Sequence, residues 1–357
     1  MIKRKNRRQT RWWRLCSPAI VGIAVVATVG CAGTAPITGS AGKPIPGSIA
    51  VREHVHVNGR DQGVVIRGND RTAPVVLWLA GGPGGSETGW TRSSLGALER
   101  DVVLVNWDQP GVGMSFSAAD WDTVTVADFV DDTIAMSEYL RDRFHQDRII
   151  LVGHSWGSVI GLMAADRRPD LYSAYVGVAQ QVNARENDRH GYDLALSAAA
   201  ARGDRRVVRH LTEIGPPPYS PERGRDYLYL FQKVHVYSPH PAPEPSFAAL
   251  LFPREYTLLD SIHVLQGLLK GVSRVYPQLN DLDFERTIPS VNVPVFFFTG
   301  RYDETCVQNI TYRYYKALKA PHKEFVWFEQ SGHNVPYQQP ERFVREFRDR
   351  VLTRRSL

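Results

Sequence analysis

The segment RIILVGHSWGSVIGLMAA, residues 148–165, constrains the fold more than any other part of the chain. Its first half is a continuous aliphatic run, the pattern of a strand buried on both faces. Its second half, rich in small and apolar residues, reads as a helix, and between the two sits Ser155 with Gly153 and Gly157 two positions to either side. Where a strand turns directly into a helix there is no room for side chains at the crossing, and this spacing gives that role to the glycines. The turn exposes the hydroxyl of Ser155. It also sets the backbone N–H of Trp156 at a helix N-terminus, where it can stabilise negative charge.

The rest of the chain repeats the theme. EHVHVNGRDQGVVIRG alternates apolar positions around Asn58-Gly59, a two-residue hairpin signal. APVVLWLAGG, DVVLVNWDQ, AYVGVAQ, VPVFFFTG and EFVWFEQSGH are further short apolar runs suited to a mostly parallel sheet. TVADFVDDTIAMSEYLRDRF places Val126, Phe129, Val130, Ile134 and Tyr139 at helical spacing, with Thr123 or Thr125 as N-cap. Strand and helix alternate, so the fold class is α/β. Between AYVGVAQ and VPVFFFTG the alternation stops. GYDLALSAAAARGDRRVVRHLTEIG and GRDYLYLFQKV read as helices separated by the turn-forming GPPPYSPERG, and SPHPAPEPS as an extended loop. This predicts a helical cap over residues 182–288, inserted between two parts of one core, 49–181 and 289–357.

The net charge of +6 is concentrated at one end. MIKRKNRRQTRWWR holds seven basic residues and no acidic one, which leaves the remainder at −1 and gives no basis for a nucleic-acid partner. The apolar run from Leu15 to Gly33 that follows predicts that residues 1–32 are an export signal or a membrane anchor. TVGC, ending at Cys31, resembles the lipobox of bacterial lipoproteins with Thr28 in the usual leucine position, which would lipidate Cys31. Either reading puts the folded part outside the cytoplasm, in the cell envelope. Residues 33–48, rich in Gly, Pro, Ser and Thr, read as a tether. Beyond Cys31 only Cys306 remains, so no internal disulfide is available, and no Cys/His spacing suggests a zinc site.

GHSWG fits G-x-S-x-G, the nucleophile elbow, in which the serine sits in a strained conformation at the turn. A serine hydroxyl is a poor nucleophile unless a base takes its proton and a third group orients that base. The order acid then histidine after the serine selects Asp303, just past VPVFFFTG, and His333, just past EFVWFEQ. Glu304 competes with Asp303 for the acid's place. His154 points into the elbow and packs or hydrogen-bonds there, while His190, His210 and His263 are scattered in the cap. In LWLAGGPGGSE the glycines let a second backbone N–H approach the serine, and Gly82 is the candidate donor to pair with Trp156 in an oxyanion hole. A phosphate-cradling loop is excluded there, because the Lys and Ser/Thr of such a loop are missing.

Taken together, GGPGG, WDQPGVGMS, GHSWGS, GRYD and SGHNVP resemble the proline iminopeptidase group of α/β-hydrolases, and the likeness extends through QQVNARE and LTEIGPPPY. The group's first loop begins with His where this chain has Ala80, and its Asp-Gln-Arg-Gly has Pro110 in place of the arginine. The resemblance implies an α/β-hydrolase fold with a helical cap and a serine peptidase releasing N-terminal residues, especially proline, from short peptides, with no metal or organic cofactor. Such an enzyme must hold a protonated α-amine in a partly dry pocket, so carboxylates in the cap are expected. Glu186 is the first candidate and Glu213 the second, unless either lies on a solvated helix face. YLYLF, residues 227–231, either lines the pocket or packs within the cap. The alternatives are an esterase, lactonase or amidase of small acyl molecules on the same three residues, and a surface lipoprotein that binds without chemistry.

Overall fold

The computed structural model describes residues 32–353, so the expectations on the basic leader, on lipidation at Cys31 and on an anchor lie outside the described residues. Eight strands form one sheet among them: β1 Ile49–Val57, β2 Arg60–Gly68, β3 Val75–Leu79, β4 Val103–Trp107, β5 Ile149–His154, β6 Tyr172–Val178, β7 Val295–Gly300 and β8 Lys323–Phe328. Their order is β1-β2-β4-β3-β5-β6-β7-β8. The β1–β2 hairpin turns at Asn58-Gly59, both at positive φ (52° and 74°), and β2 pairs antiparallel with β4. From β4 onward every pairing is parallel.

Residues along each central strand point alternately to the two faces of the sheet. Leu77, Leu151, Tyr175 and Phe297 enter one apolar layer, and Trp78, Val152, Val176 and Phe298 the other. Because both layers are covered by helices, these strands read as unbroken apolar runs in the sequence. The helices before the cap are α1 Thr88–Ser94, α2 Val126–Arg143 and α3 Trp156–Arg167. α2 starts at a reciprocal cap in which Thr125 Oγ1 accepts from the amide of Asp128, whose carboxylate accepts from the amide of Thr125.

Between β6 and β7 lie α4 Ala184–Ala201, α5 Arg205–Ile214, α6 Gly224–Tyr237, α7 Phe247–Leu251, α8 Leu258–Arg274 and α9 Phe284–Thr287. α4 and α5 are separated at Gly203, at positive φ, and Asp204, whose side chain caps α5. After β7 come α10 Gln308–Ala317, α11 Val335–Gln338 and α12 Pro340–Glu346. α8 approaches the loop after β3 backbone to backbone: a Cβ on Gly271 would stand 2.2 Å from the carbonyl oxygen of Pro83, and one on Gly267 2.9 Å from that of Gly84. Core and insertion form a single compact unit.

Residues 33–48 differ from a free tether. Thr38 bridges to Pro44, and the start of the segment is held by buried charge. Arg67 Nη1 donates to Thr34 Oγ1 (2.6 Å) and to the carbonyl of Ala35 (2.5 Å), while Thr34 Oγ1 donates to Glu255 Oε1 at 2.8 Å. The reason is polar satisfaction. Arg67, Glu99 and Glu255 are buried, and with Arg52, Arg92 and Asp260 they form a network that needs every donor and acceptor within reach. Among the described residues no helix is long and apolar enough to cross a membrane.

Candidate active site

The candidate catalytic and oxyanion-hole residues follow the carboxyl ends of β3, β5, β7 and β8, which run parallel and so bring them to one edge of the sheet. β5 leads into Ser155, whose backbone (φ 54°, ψ −117°) lies in a region that L-residues rarely occupy. A Cβ on Gly153 would lie 2.3 Å from the carbonyl oxygen of Gly157, and one on Gly157 2.1 Å from that of Leu79. Both glycines are therefore steric requirements of the turn. Trp156 is the first residue of α3; its indole is buried, edge-on to Phe129, and donates to Gln109 Oε1 at 2.9 Å.

Asp303 follows β7 and is fully buried. Its Oδ1 accepts from the amides of Thr305 and Cys306, both at 2.9 Å, and its two oxygens each lie 3.1 Å from Nδ1 of His333, past β8. Glu304, the competing acid, turns the other way and binds His190 Nε2 at 2.5 Å. Ser155, His333 and Gly82 line one cavity of about 340 Å³. Cys306 lines the same cavity as Ser155, with its thiol buried. Burial, reinforced by Asp303, pushes that thiol well above its ordinary value, so Cys306 stays neutral.

The cap supplies the roof. Leu228, Phe231, Phe247, Val264, Leu268 and Val272 make it apolar. The YLYLF stretch divides its work: Leu228 and Phe231 face the cavity, whereas Tyr227 and Leu230 are core. Tyr276 also lines it, donating to Asp188 Oδ1 at 2.7 Å, and burial raises that carboxyl to about 7. A second chamber of about 140 Å³ adjoins the first through Phe231, Thr305, His333 and Asn334, and brings Glu244, Glu304, His235 and His240 together.

The alpha/beta hydrolase family model matches residues 75–346, which takes in the elbow, the cap and both later loops. The chain belongs to the alpha/beta hydrolase family. Within this family of hydrolases it is 29% identical over 313 residues to the probable aminopeptidase YbaC of Bacillus subtilis, covering 83% of this chain and 95% of that protein. It is 23% identical over 280 residues to a proline iminopeptidase of Heyndrickxia coagulans, covering 77% and 89%. The crystal structure of a proline iminopeptidase from Mycobacterium smegmatis shares the α/β-hydrolase fold, with a TM-score of 0.57 and 18% identity over 82% of this chain and 95% of that one.

Two expectations for this α/β hydrolase need correction. Glu186 does not reach the cavity: it sits in the first turn of α4, about half exposed, where Arg313 clamps it with two hydrogen bonds (2.9 and 2.6 Å). Glu213 lies on the outer face of α5, 4.0 Å from Arg209 and 3.9 Å from His210. In each case helix phase turns the carboxylate to solvent. The carboxylates that do border the two chambers are Glu87, Glu244 and Glu304.

Glu87 escaped the sequence reading, although an acid directly after a glycine-rich loop is a signal that could have found it. It accepts from His154 Nδ1 (2.6 Å), Trp78 Nε1 (2.7 Å), the Gly81 amide (2.9 Å) and Tyr337 Oη (2.7 Å). The other ring nitrogen of His154 meets the carbonyl of His333 at 3.1 Å. Both nitrogens of His154 face acceptors, so the ring is an imidazolium. Burial disfavours charge on each partner, yet their attraction prevails: the Glu87 carboxyl is held below its ordinary value and the imidazole above its own. This ion pair ties the residue before Ser155 to the backbone of His333. Among the described residues no group of three or more His, Cys, Asp or Glu gathers as a metal site.

Proposed function

We propose that this hydrolase is a serine enzyme of the cell envelope that releases N-terminal residues from short peptides in the manner of a proline iminopeptidase. The observation that carries the reading is the convergence on one cavity of a strained serine, a histidine, and a buried carboxylate bonded to that histidine. In the proposed mechanism His333 removes the proton of Ser155 as its oxygen attacks the substrate carbonyl, and Asp303 fixes the imidazole by accepting from Nδ1. The amides of Trp156 and Gly82 take the developing oxyanion; the neighbouring Gly81 amide is already committed to Glu87. His333 then hands the proton to the leaving amine, and water resolves the acyl-enzyme.

The free α-amine goes to the second chamber, next to His333. Glu244 there is held by Asn334 Nδ2 (2.5 Å) and Gln338 Nε2 (2.9 Å), neutral donors that leave its charge available, with His240 at 2.9 Å on its other side. The apolar roof takes the N-terminal side chain or ring. Envelope location rests on the basic and apolar sequence of residues 1–31 alone.

Ser155→Ala should lower kcat/KM on proline arylamides by about a million-fold while leaving the fold intact. Glu244→Gln should raise KM for arylamides with a free amine and leave N-acylated substrates unaffected, whereas Glu186→Gln should do neither. Undiminished turnover by Ser155→Ala would sink the mechanism. A second reading, hydrolysis of small apolar esters or amides, is favoured by the roof itself; p-nitrophenyl ester turnover without arylamide turnover would select it.

A further inference from the structure

The cap carries apolar side chains that the fold leaves uncovered. Phe247 on α7, Phe252 on the α7–α8 link, and Leu258, Leu259, Ile262 and Leu269 on α8 are between 42% and 67% exposed. On α8 they recur at helical spacing on one side, opposite the glycines that press onto the loop after β3. Isolated apolar residues on a surface mean little, but a contiguous face of this kind marks an interaction site.

Three features fix the occupant. The first is where the chain enters. Thr34 is bound to Glu255, which lies between Phe252 and Leu258, on the very link that carries the patch. Only Ala32 and Gly33 lie between Cys31 and Thr34, three Cα-to-Cα steps with a reach of about 11 Å when fully extended. Any bilayer that receives the apolar run ending there stands within that reach of the α7–α8 link. The second is charge. Arg254 and Lys270 are exposed beside the apolar side chains, while the acids of the same stretch, Glu255 and Asp260, are buried in ion pairs with Arg92 and Arg52. An apolar face rimmed by cations suits anionic headgroups. The third is continuity with the site. Phe247 is at once 55% exposed and part of the cavity lining, so the cavity opens on this face.

We propose that the α7–α8 face of the cap seats in the surface of an anionic bilayer, with the mouth of the cavity turned to the headgroups. The proposal rests on the anchoring of residues 1–31 given under the proposed function. It adds a second, reversible contact that sets orientation, and it draws apolar substrates from the interface.

The test uses the full-length chain on vesicles of phosphatidylethanolamine and phosphatidylglycerol with brominated acyl chains. Bromine quenches tryptophan at short range, so Leu259→Trp reports on the patch. Asp147→Trp, an exposed position before β5 and thus at the opposite end of the sheet from Ser155, is the reference. The wild type, with eight native tryptophans, gives the background. The expected result is flotation of both variants with the vesicles, and quenching above background several-fold greater at position 259 than at 147. Flotation with equal or absent added quenching at the two sites overturns the seating of the cap while leaving the anchor in place. Loss of flotation by all three proteins overturns anchor and seating together. A dimer in detergent that Leu259→Ser with Leu269→Ser dissociates assigns the face to a second copy instead, and also overturns the proposal.

Discussion

α3 and α8 are both apolar helices at the edge of the same cavity, and they differ in what lies around them. α3 is enclosed: Val159, Ile160, Leu162 and Ala164 are fully buried beneath the sheet's helical layer, and Gly157 touches β3. α8 is packed on one side only, through Gly267, Gly271 and Val264, and shows leucines to solvent on the other. Apolar side chains thus serve two ends. In α3 they immobilise Ser155; in α8 they hold the roof to the loop after β3 while leaving one face exposed.

The comparison breaks first at the pair beneath the elbow. His154→Gln leaves Glu87 buried without its cation, which should cost about 3–5 kcal/mol of stability and lower activity by loosening the His333 loop. The pH dependence has a definite sign. The raised His154 value gives stability fully present below its ordinary 6.5 and lost as pH climbs through the folded-state value. The lowered Glu87 value gives stability present above its ordinary 4.5 and lost as pH falls through the folded-state value. Melting temperatures scanned from mildly acidic to alkaline should therefore show an alkaline decline in the wild type that is shallower in His154→Gln.

Paired truncations sharpen the contrast. Leu162→Ala on α3 should lose about 2–5 kcal/mol in urea unfolding, as a buried leucine does. Leu259→Ala on α8 should change stability by no more than about 0.5 kcal/mol, as at an ordinary surface position. Equal losses would mean that the α8 face is covered within the molecule. Between these two, at about 1–3 kcal/mol, falls Gly271→Ala, whose Cβ must push α8 off Pro83. Because the displaced loop holds Gly82, its kcat should fall further than its melting temperature suggests.

What the sequence made legible follows the same division. Strands buried on both faces betray themselves as apolar runs, and the elbow as glycines spaced for a crossing, since both are local consequences of packing. Asp303 and His333 could be placed because each closes such a run. Glu87, Glu244 and the α8 glycines could not, since their roles come from partners far along the chain: His154 and Tyr337 for Glu87, Asn334 for Glu244, Pro83 for Gly271. Glu186 and Glu213 are expected near the cavity because the resemblance implies an exopeptidase that binds an α-amine, but helix phase, set by the packing of α4 and α5, turns them outward. The Gly- and Pro-rich stretch after Gly33 looked free because nothing in it announces that Arg67 and Glu255 need Thr34 and Ala35.

That small attachment has a mechanical side. Thr34 links Arg67, in the sheet, to Glu255, at the foot of α8, so the entering strand of chain works as a clasp between the two halves of the molecule. The foot of α8 cannot swing outward without unfastening it. Movement of the roof is then freest on the side of α6, whose Phe231 borders both chambers.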